Sequence, residues 1–473
     1  MAATRFIRYA SLLVCFSTAP FVAADTLQDI YQLALKNDPT LRSAQATYKA
    51  DLQNENLAKA GLLPQISASA SYTDSSTDVK NQQEFLFGST PFTNNSAGEN
   101  ETERQSLNIT LDQNLFNLSS WFTFKGGQQQ TVLAEAQFAS AQQELIVRVA
   151  QAYLEVLRAT DNLRASRAQE KATARQLEQT EERFDVGLIA ITDVHEARAG
   201  NDLALAQRLA DEGSLGIAKE GLALLTGQQH DNLWLLSEGY AIENPTPADV
   251  SEWTTFAREN NLDLKATQAT VQLAKTLAQS KKAAHLPTLS ARVAYEDTET
   301  DSVESRTSPQ RIDLPSFSES QGLSVTFNLN APIYAGGANI AQRKKAYAEY
   351  HAALEKNSGT MRTVLQNTRS LHLQVRTDVA RSNARKQAMV SSRSALEATQ
   401  AGYDVGTRNI VDVLTAQQNL FGSMRDYANT RYDYILNSLR LKQLAGTLSP
   451  QDIADLNGGL IQPTNTASEQ TAE

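Results

Sequence analysis

The sequence predicts an α+β membrane protein that is built from two tandem repeats. Three observations support this prediction: the chain matches itself at a nearly constant offset, short segments alternate apolar and polar residues, and very long segments lack proline. Each repeat would supply two transmembrane β-strands, followed by long helices that form an antiparallel coiled coil. One chain therefore has four strands, which is too few for a closed wall, so the fold class also implies an oligomer.

The internal repeat is the most informative sequence feature. Residues 63–72 (LPQISASASY) match residues 286–295 (LPTLSARVAY) at an offset of 223. Residues 184–187 (FDVG) match residues 403–406 (YDVG) at an offset of 219. Several matches at nearly one offset are typical of a duplicated structural unit.

The repeat and the two ends divide the chain into four segments. The first 24 residues combine a basic start, an apolar stretch and small residues at their end, which is typical of a cleaved secretory signal peptide. The repeats would cover residues 25–240 and 245–450, and the polar residues 459–473 are expected to be disordered. The single cysteine, Cys15, lies in the signal peptide, which excludes disulfides, cysteine-based zinc sites and thiol catalysis in the mature chain.

Alternation of apolar and polar residues predicts the strands. Leu107, Ile109 and Leu111 alternate with polar residues, and a period of two over about ten residues is the pattern of a transmembrane β-strand. The Asn-, Ser- and Thr-rich segments at about 73–106 and 296–321 are predicted to be loops. The predicted strands cover about residues 64–73, 106–116, 287–296 and 322–334.

The strand number leads to a prediction about assembly. Four strands cannot close a barrel, since the smallest single-chain barrels have about eight. An open sheet in lipid would leave backbone groups at its edges unpaired, at a cost of several kcal/mol each. Oligomerisation removes this cost, and three chains would form a twelve-stranded barrel, although the spacing alone does not determine the number three.

Two long segments are predicted to be helical. Residues 338–403 contain no proline, and 66 residues at 1.5 Å each would extend for ~100 Å. Residues 121–184 form a segment of similar length. In it Leu145, Val149 and Ala152 begin a series that steps by four and three residues, which is the seam of a coiled coil.

Composition and motifs argue against several classes of function. The formal net charge of −10 removes most of the electrostatic support for nucleic-acid binding. None of the five histidines belongs to a His-Glu-x-x-His zinc motif, and the chain contains neither a Gly-x-x-x-x-Gly-Lys phosphate loop nor a Gly-x-Ser-x-Gly motif. The sequence therefore predicts no enzyme activity, no cofactor and no metal site.

Three motifs carry a resemblance to a known family. Residues 183–194 (RFDVGLIAITDV), 402–414 (GYDVGTRNIVDVL) and 332–337 (PIYAGG) resemble those of the TolC type of outer-membrane efflux channel, and the similarity extends over essentially the whole mature length. The resemblance implies a homotrimer with a twelve-stranded outer-membrane barrel and a periplasmic α-helical tunnel. It also implies an exit duct for multidrug efflux or type I secretion. Such a duct docks a periplasmic adaptor (membrane fusion protein) and an inner-membrane pump or ABC exporter.

Two valine–glycine pairs, Val186-Gly187 and Val405-Gly406, are predicted to form the far ends of the coiled coils. Gly187 and Gly406 each follow a long helix, and glycine tolerates the positive φ that reverses the chain at a helix C-terminus. In the family this end is the closed periplasmic entrance. We therefore expect Val186, Gly187, Val405 and Gly406 to form helix-tip turns that dock the adaptor, whereas a plain helical hairpin turn is the simpler interpretation.

The resemblance also implies links that hold the entrance closed. Tyr403 would bond Asp193, and Arg408 would bond the region of Thr192 in a neighbouring chain. Asp412 would face the lumen, where three copies would form a carboxylate ring that favours cations. Reference members of the family carry a second aspartate three residues later, where this chain has Thr415, so its ring would carry less charge.

A second interpretation assigns the chain to a structural class. Exposed charged residues on helices are usually only solvated, and the chain could be an exported coiled-coil spacer or adhesin whose strands form a soluble cap. The paired strands with a lipid-compatible face occur in both repeats, and a spacer has no need for that duplication. The sequence therefore favours the gated duct.

Overall fold

The computed structural model describes residues 25–307 and 311–463. The predicted signal peptide and the last ten residues of the predicted tail lie outside the described residues. The helices are α1 (Leu27–Asn37), α2 (Pro39–Asp51), α3 (Gln53–Ala60), α4 (Leu118–Asp185), α5 (Ile191–Thr226), α6 (Val250–Asn260), α7 (Leu262–Ala283), α8 (Ala338–Asp404), α9 (Ile410–Leu444) and α10 (Pro450–Asn457). The strands are β1 (Gln65–Phe87), β2 (Thr90–Phe116), β3 (Leu235–Leu236), β4 (Thr288–Thr307), β5 (Arg311–Asn330) and β6 (Leu460–Ile461).

The four long strands form one antiparallel sheet in the order β1-β2-β4-β5. Two of these strands come from each repeat, and the pairing of β2 with β4 joins the repeats. The register aligns apolar residues of all four strands into rows on one face, and Ile66 and Leu323 in these rows are 72% and 71% exposed. Two such rows are Ile66–Leu111–Val293–Val325 and Ala68–Ile109–Tyr295–Leu323.

The strands are longer than the alternation pattern indicates. The ladder between β1 and β2 continues to Phe87 and Thr90, and the ladder between β4 and β5 continues to Thr307 and Arg311. The predictions of loops at 73–106 and 296–321 were therefore wrong, and β5 ends at Asn330 rather than at the predicted residue 334. The hydrogen bonds of the ladder join backbone groups and therefore form with many kinds of side chain. The alternation of apolar and polar residues, in contrast, ends where polar residues occupy both faces of the sheet. The sequence pattern thus marks only the part of each hairpin that has an apolar face.

The two longest helices, α4 and α8, contain 68 and 67 residues. Ion pairs between Arg198 and Glu181 and between Arg208 and Glu170, each at 2.7 Å, join α5 to α4 in antiparallel order. We call α5 and the part of α4 beside it the first hairpin, and α8 with α9 the second hairpin. Along α4 the seam residue Val149 is fully buried, as expected where an apolar stripe packs against neighbouring helices.

The chain folds into two compact units that differ from the sequence repeats. One unit contains the described residues up to Arg42, together with Gln142–Trp253 and the residues from Thr368 onward. The other contains Ser43–Ala141 and Thr254–Asn367, including the four-stranded sheet. Each unit therefore contains segments of both repeats, because equivalent elements of the two repeats pack on each other.

The beginning of the predicted disordered tail is ordered. Leu460 and Ile461 form β6, which pairs with β3, and Leu460 is buried. The prediction of disorder was therefore wrong for residues 459–463. Backbone pairing and burial of one leucine stabilise this short strand in a segment whose composition is mostly polar.

No helix among the described residues has both the length and the apolar character that a membrane crossing needs.

The buried histidine of α8 leads to a prediction about pH. Burial of His372 and the nearby Arg376 lower its pKa, while the Ala248 carbonyl and Asp249 act in the opposite direction. A histidine with a lowered pKa makes the folded chain less stable as the pH falls below about 6.5, because the unfolded chain binds the proton more readily. We expect the melting temperature to fall between pH 7.5 and 5, and to fall less in His372→Asn. Equal slopes in wild type and variant would contradict this prediction.

Candidate functional site

The first helix-tip turn joins α4 to α5. α4 ends at Asp185, and Gly187 has a φ of 75°, a left-handed conformation that glycine adopts without strain. The Leu188 amide donates to the carbonyl of Arg183 at 2.9 Å, and the Gly187 amide donates to the carbonyl of Phe184 at 2.8 Å. These two bonds form a Schellman motif, which ends the helix and reverses the chain.

The second helix-tip turn, between α8 and α9, has the same geometry. Gly406 has a φ of 78°, and its amide donates to the carbonyl of Tyr403 at 3.1 Å. The Thr407 amide donates to the carbonyl of Gly402 at 2.8 Å. The structure thus places the glycine of each valine–glycine pair at a helix reversal, and the matching backbone bonds give a physical reason for the repeated motif.

Tyr403 is buried at the second turn. It is 6% exposed and belongs to an apolar cluster with Ala197, Ile410 and Val413. Among the described residues its hydroxyl has no hydrogen-bond partner, and the carboxylate of Asp193 accepts a hydrogen bond from the neighbouring hydroxyl of Thr192 at 3.4 Å. The expected bond between Tyr403 and Asp193 is therefore not formed in a single chain, because the cluster holds the ring and leaves the hydroxyl unpaired.

Arg408 and Asp412 form a contact that the sequence did not predict. A guanidinium nitrogen of Arg408 lies 3.7 Å from a carboxylate oxygen of Asp412, one turn further along α9. The amide of Asp412 also donates to the side chain of Asn409 at 2.8 Å, which caps the helix. Within one chain the Arg408 guanidinium thus places a cation close to the carboxylate that is expected to face the lumen.

Apolar side chains are exposed beside both glycines. Val186 and Val405 are 70% and 75% exposed, and the neighbouring Leu188 is exposed as well. Exposed apolar side chains that lie together are typical of surfaces that contact other molecules. The two helix-tip turns therefore present equivalent valines to solvent.

Arg183 and Asp404 join the two hairpins, and sequence reasoning assigned neither a role. Their side chains approach to 3.4 Å, and the guanidinium carbon of Arg183 lies 4.9 Å from the centroid of the Tyr403 ring. The available signal was an asymmetry of the repeats: at the offset of 219, Arg183 corresponds to Gly402.

The helix tips contain hydrogen bonds, ion pairs and exposed apolar groups that can hold helices together or contact a partner. Among the described residues no group of three or more His, Cys, Asp and Glu side chains could hold a metal ion.

Comparisons with known proteins identify the family. The profile of the family described as outer membrane efflux protein matches residues 30–228 and 253–447. The chain is 36% identical to the outer membrane protein TolC of Vibrio cholerae over 441 residues, which are 93% of this chain and 94% of the relative. It is 27% identical to the alkaline protease secretion protein AprF of Pseudomonas aeruginosa over 429 residues, 90% of this chain and 85% of the relative.

A solved structure shows the same fold. The CmeC outer membrane channel of Campylobacter jejuni superposes with a TM-score of 0.71 at 17% identity, covering 92% of this chain and 89% of that one. The predictions of family, outer-membrane location and absence of enzyme activity are confirmed. The chain belongs to the TolC-type outer membrane efflux protein family and is an outer-membrane channel of efflux or type I secretion.

Proposed function

We propose that three copies of this chain form a gated exit duct, with four strands from each copy in a twelve-stranded barrel and the helices in a periplasmic tunnel. The apolar rows across β1, β2, β4 and β5 are the main support, because an exposed apolar face of this size is suited to lipid. In the described sheet β1 and β5 each have one neighbouring strand, and lipid requires that both outer edges be paired. Neighbouring copies would supply those pairs.

Export and repeat organisation are part of this proposal. The signal peptide, residues 1–24, would be cleaved, and residues 25–240 and 245–450 would each supply two strands and one helical hairpin. The chain would act as a passive duct that receives substrate from an inner-membrane pump or ABC exporter. A periplasmic adaptor would dock on the helix-tip turns, and the exposed Val186 and Val405 beside Gly187 and Gly406 support that assignment.

The helix tips would form the gate. Tyr403, Arg408, Asp193 and Thr192 would link neighbouring helices in the closed trimer, and the unpaired hydroxyl of Tyr403 supports such a link, because a buried hydroxyl normally has a partner. Each link is weak, but threefold repetition gives a few kcal/mol in total. An adaptor that binds the open form more tightly would shift the equilibrium towards opening.

Recovery and conductance of the full-length protein test the duct. We expect the protein in the outer-membrane fraction as an oligomer whose electrophoretic migration changes on heating. In a planar bilayer the oligomer should carry a small current. A native oligomer without any conductance, even in variants that disrupt the gate, would instead favour the structural spacer.

Asp412 should control ion selectivity. Asp412→Asn is expected to lower the ratio of cation to anion permeability by about two- to fivefold. The reason is that two unit charges about 4 Å apart in water interact with ~1 kcal/mol, so each carboxylate attracts a passing cation by about that much. Arg408→Ser should raise the ratio, since it removes the cation that lies 3.7 Å from the carboxylate. Reversal potentials in a salt gradient measure both effects. An unchanged ratio in both variants would place Asp412 outside the narrow part of the pore.

A further inference from the structure

We propose that Arg183 is a positioning residue of the gate, which fastens the first hairpin to the second by contacting both Asp404 and the ring of Tyr403. This inference rests on the proposed gated duct. It adds a link within each chain that the family resemblance did not provide.

The geometry of Arg183 supports a double contact. Its guanidinium carbon lies 4.9 Å from the centroid of the Tyr403 ring, within the range of a cation–π interaction. One of its nitrogens lies 3.4 Å from Asp404 Oδ1, which also accepts from the side-chain amide of Gln400 at 3.2 Å. Tyr403 packs on its other neighbours in the apolar cluster, which include Leu414. Arg183 therefore lies over the Tyr403 ring, which packs in the apolar cluster beside the second turn.

Electrostatics favour an arginine at this place. Asp404 is the last residue of α8, where the partial negative charge of the helix C-terminus repels a carboxylate. Arg183 lies in the last turn of α4, where a cation is favourable, and it also offsets the charge of Asp404. One cation thus offsets the partial negative charge at the C-termini of both α4 and α8. This attraction favours packing of the second hairpin against the first.

The two repeats have diverged at this position in a complementary way. Phe184 and Asp185 correspond to Tyr403 and Asp404, but Arg183 corresponds to Gly402. A Cβ atom on residue 402 would lie 2.8 Å from Cγ of Arg408, so glycine makes room for that side chain. The first repeat thus supplies an arginine that crosses to the second hairpin, whereas the second repeat uses glycine to admit Arg408.

Three single variants and one double variant separate the two contacts of Arg183. Arg183→Gln removes both contacts, Asp404→Asn removes the ion pair alone, and Arg183→Lys keeps a cation. We expect Arg183→Gln to raise the fraction of time in a wide conductance state by only about fivefold, because an exposed ion pair and a cation–π contact are each weak. Asp404→Asn should have a smaller effect, Arg183→Lys should behave nearly as wild type, and Arg183→Gln/Asp404→Asn should equal Arg183→Gln.

A matched control uses an ion pair inside the first hairpin. Arg198 and Glu181 lie 2.7 Å apart on α5 and α4, and their side chains are 56% and 44% exposed. Arg198→Gln removes one arginine and one ion pair near the same turn without separating the two hairpins. We expect wild-type conductance from this control, and native oligomers on heat-modified gels from every variant.

The outcomes distinguish this inference from the proposed function. The double variant Tyr403→Phe/Arg408→Ser removes the proposed links of Tyr403 and Arg408 and serves as the reference for an open pore. If it opens the pore while Arg183→Gln and Asp404→Asn both conduct like Arg198→Gln, Arg183 has no part in the gate and the inference is overturned. If no variant and no wild-type oligomer conducts, the duct itself is refuted. If Arg183→Gln does not assemble, a wild-type conductance in Asp404→Asn would still overturn the inference.

Discussion

Tyr403→Phe combined with Arg408→Ser is expected to raise single-channel conductance without dissociating the trimer. The phenylalanine keeps the ring that packs with Ile410 and Val413, and it removes only the hydroxyl, which has no partner among the described residues of one chain. Arg408 is exposed, so its replacement leaves the core intact. Losing the two proposed links in each chain of the proposed trimer should raise the open fraction at least about tenfold.

Single variants show where the links form. In one chain the Tyr403 hydroxyl bonds nothing among the described residues, so Tyr403→Phe should change conductance only if the assembled trimer supplies a partner. Tyr434→Phe with Arg440→Ser is a matched control, because both residues lie more than 20 residues along α9 from the second turn. A folded double variant with wild-type conductance would refute the gate roles of Tyr403 and Arg408.

Arg148→Met is expected to destabilise the chain by about 3 kcal/mol. Asp38 is buried, and Arg148 contacts both of its carboxylate oxygens, at 3.3 and 2.7 Å. The carboxylate also accepts from the amide of Leu41 at 2.9 Å, at the start of α2. Burial opposes ionisation, but these hydrogen bonds and the charge of Arg148 together lower the pKa of Asp38. Methionine would leave a buried carboxylate without its cation.

Thermal and denaturant unfolding of the detergent-solubilised protein would measure the loss. Arg440→Met is the control: Arg440 donates to Gln151 at 3.1 Å in an exposed contact, and its loss should cost less than about 0.5 kcal/mol. Asp38→Asn in the Arg148→Met background should recover part of the stability, because it removes the buried charge. Since the folded pKa of Asp38 is lowered, its contribution should be complete above about pH 4 and disappear at lower pH. Equal losses in both arginine variants would contradict the prediction.

Features that follow local rules were accessible from the sequence. The glycines of both helix-tip turns could be located because only glycine adopts positive φ there at little cost, and the structure places Gly187 and Gly406 at such turns. The repeat and the alternation on β2 reflect the periods of helices and strands, which individual residues carry. The family resemblance then supplied the class of function.

Partners of individual side chains were not accessible in this way. Arg183 and Asp404 are more than 200 residues apart, and their contact depends on how two hairpins from different repeats pack. Arg408 was assigned to a neighbouring chain, but in a single chain it lies beside Asp412. Short ion pairs at surfaces differ little in free energy, so the choice between them depends on packing rather than on residue type.

The lengths of the β-strands also show which features follow from sequence and which depend on packing. Sequence marked where β1 and β2 have an apolar face, because the alternation of side chains reports burial or lipid contact on one side. The continuation of the ladder to Phe87 and Thr90, and the pairing of Leu460 beside Leu236, are decided by backbone hydrogen bonds between distant segments. Those bonds do not depend on side-chain pattern. The chain's residues therefore specify the repeat, the apolar face and the helix reversals, whereas packing in three dimensions selects the strand lengths and the side-chain contacts at the helix tips.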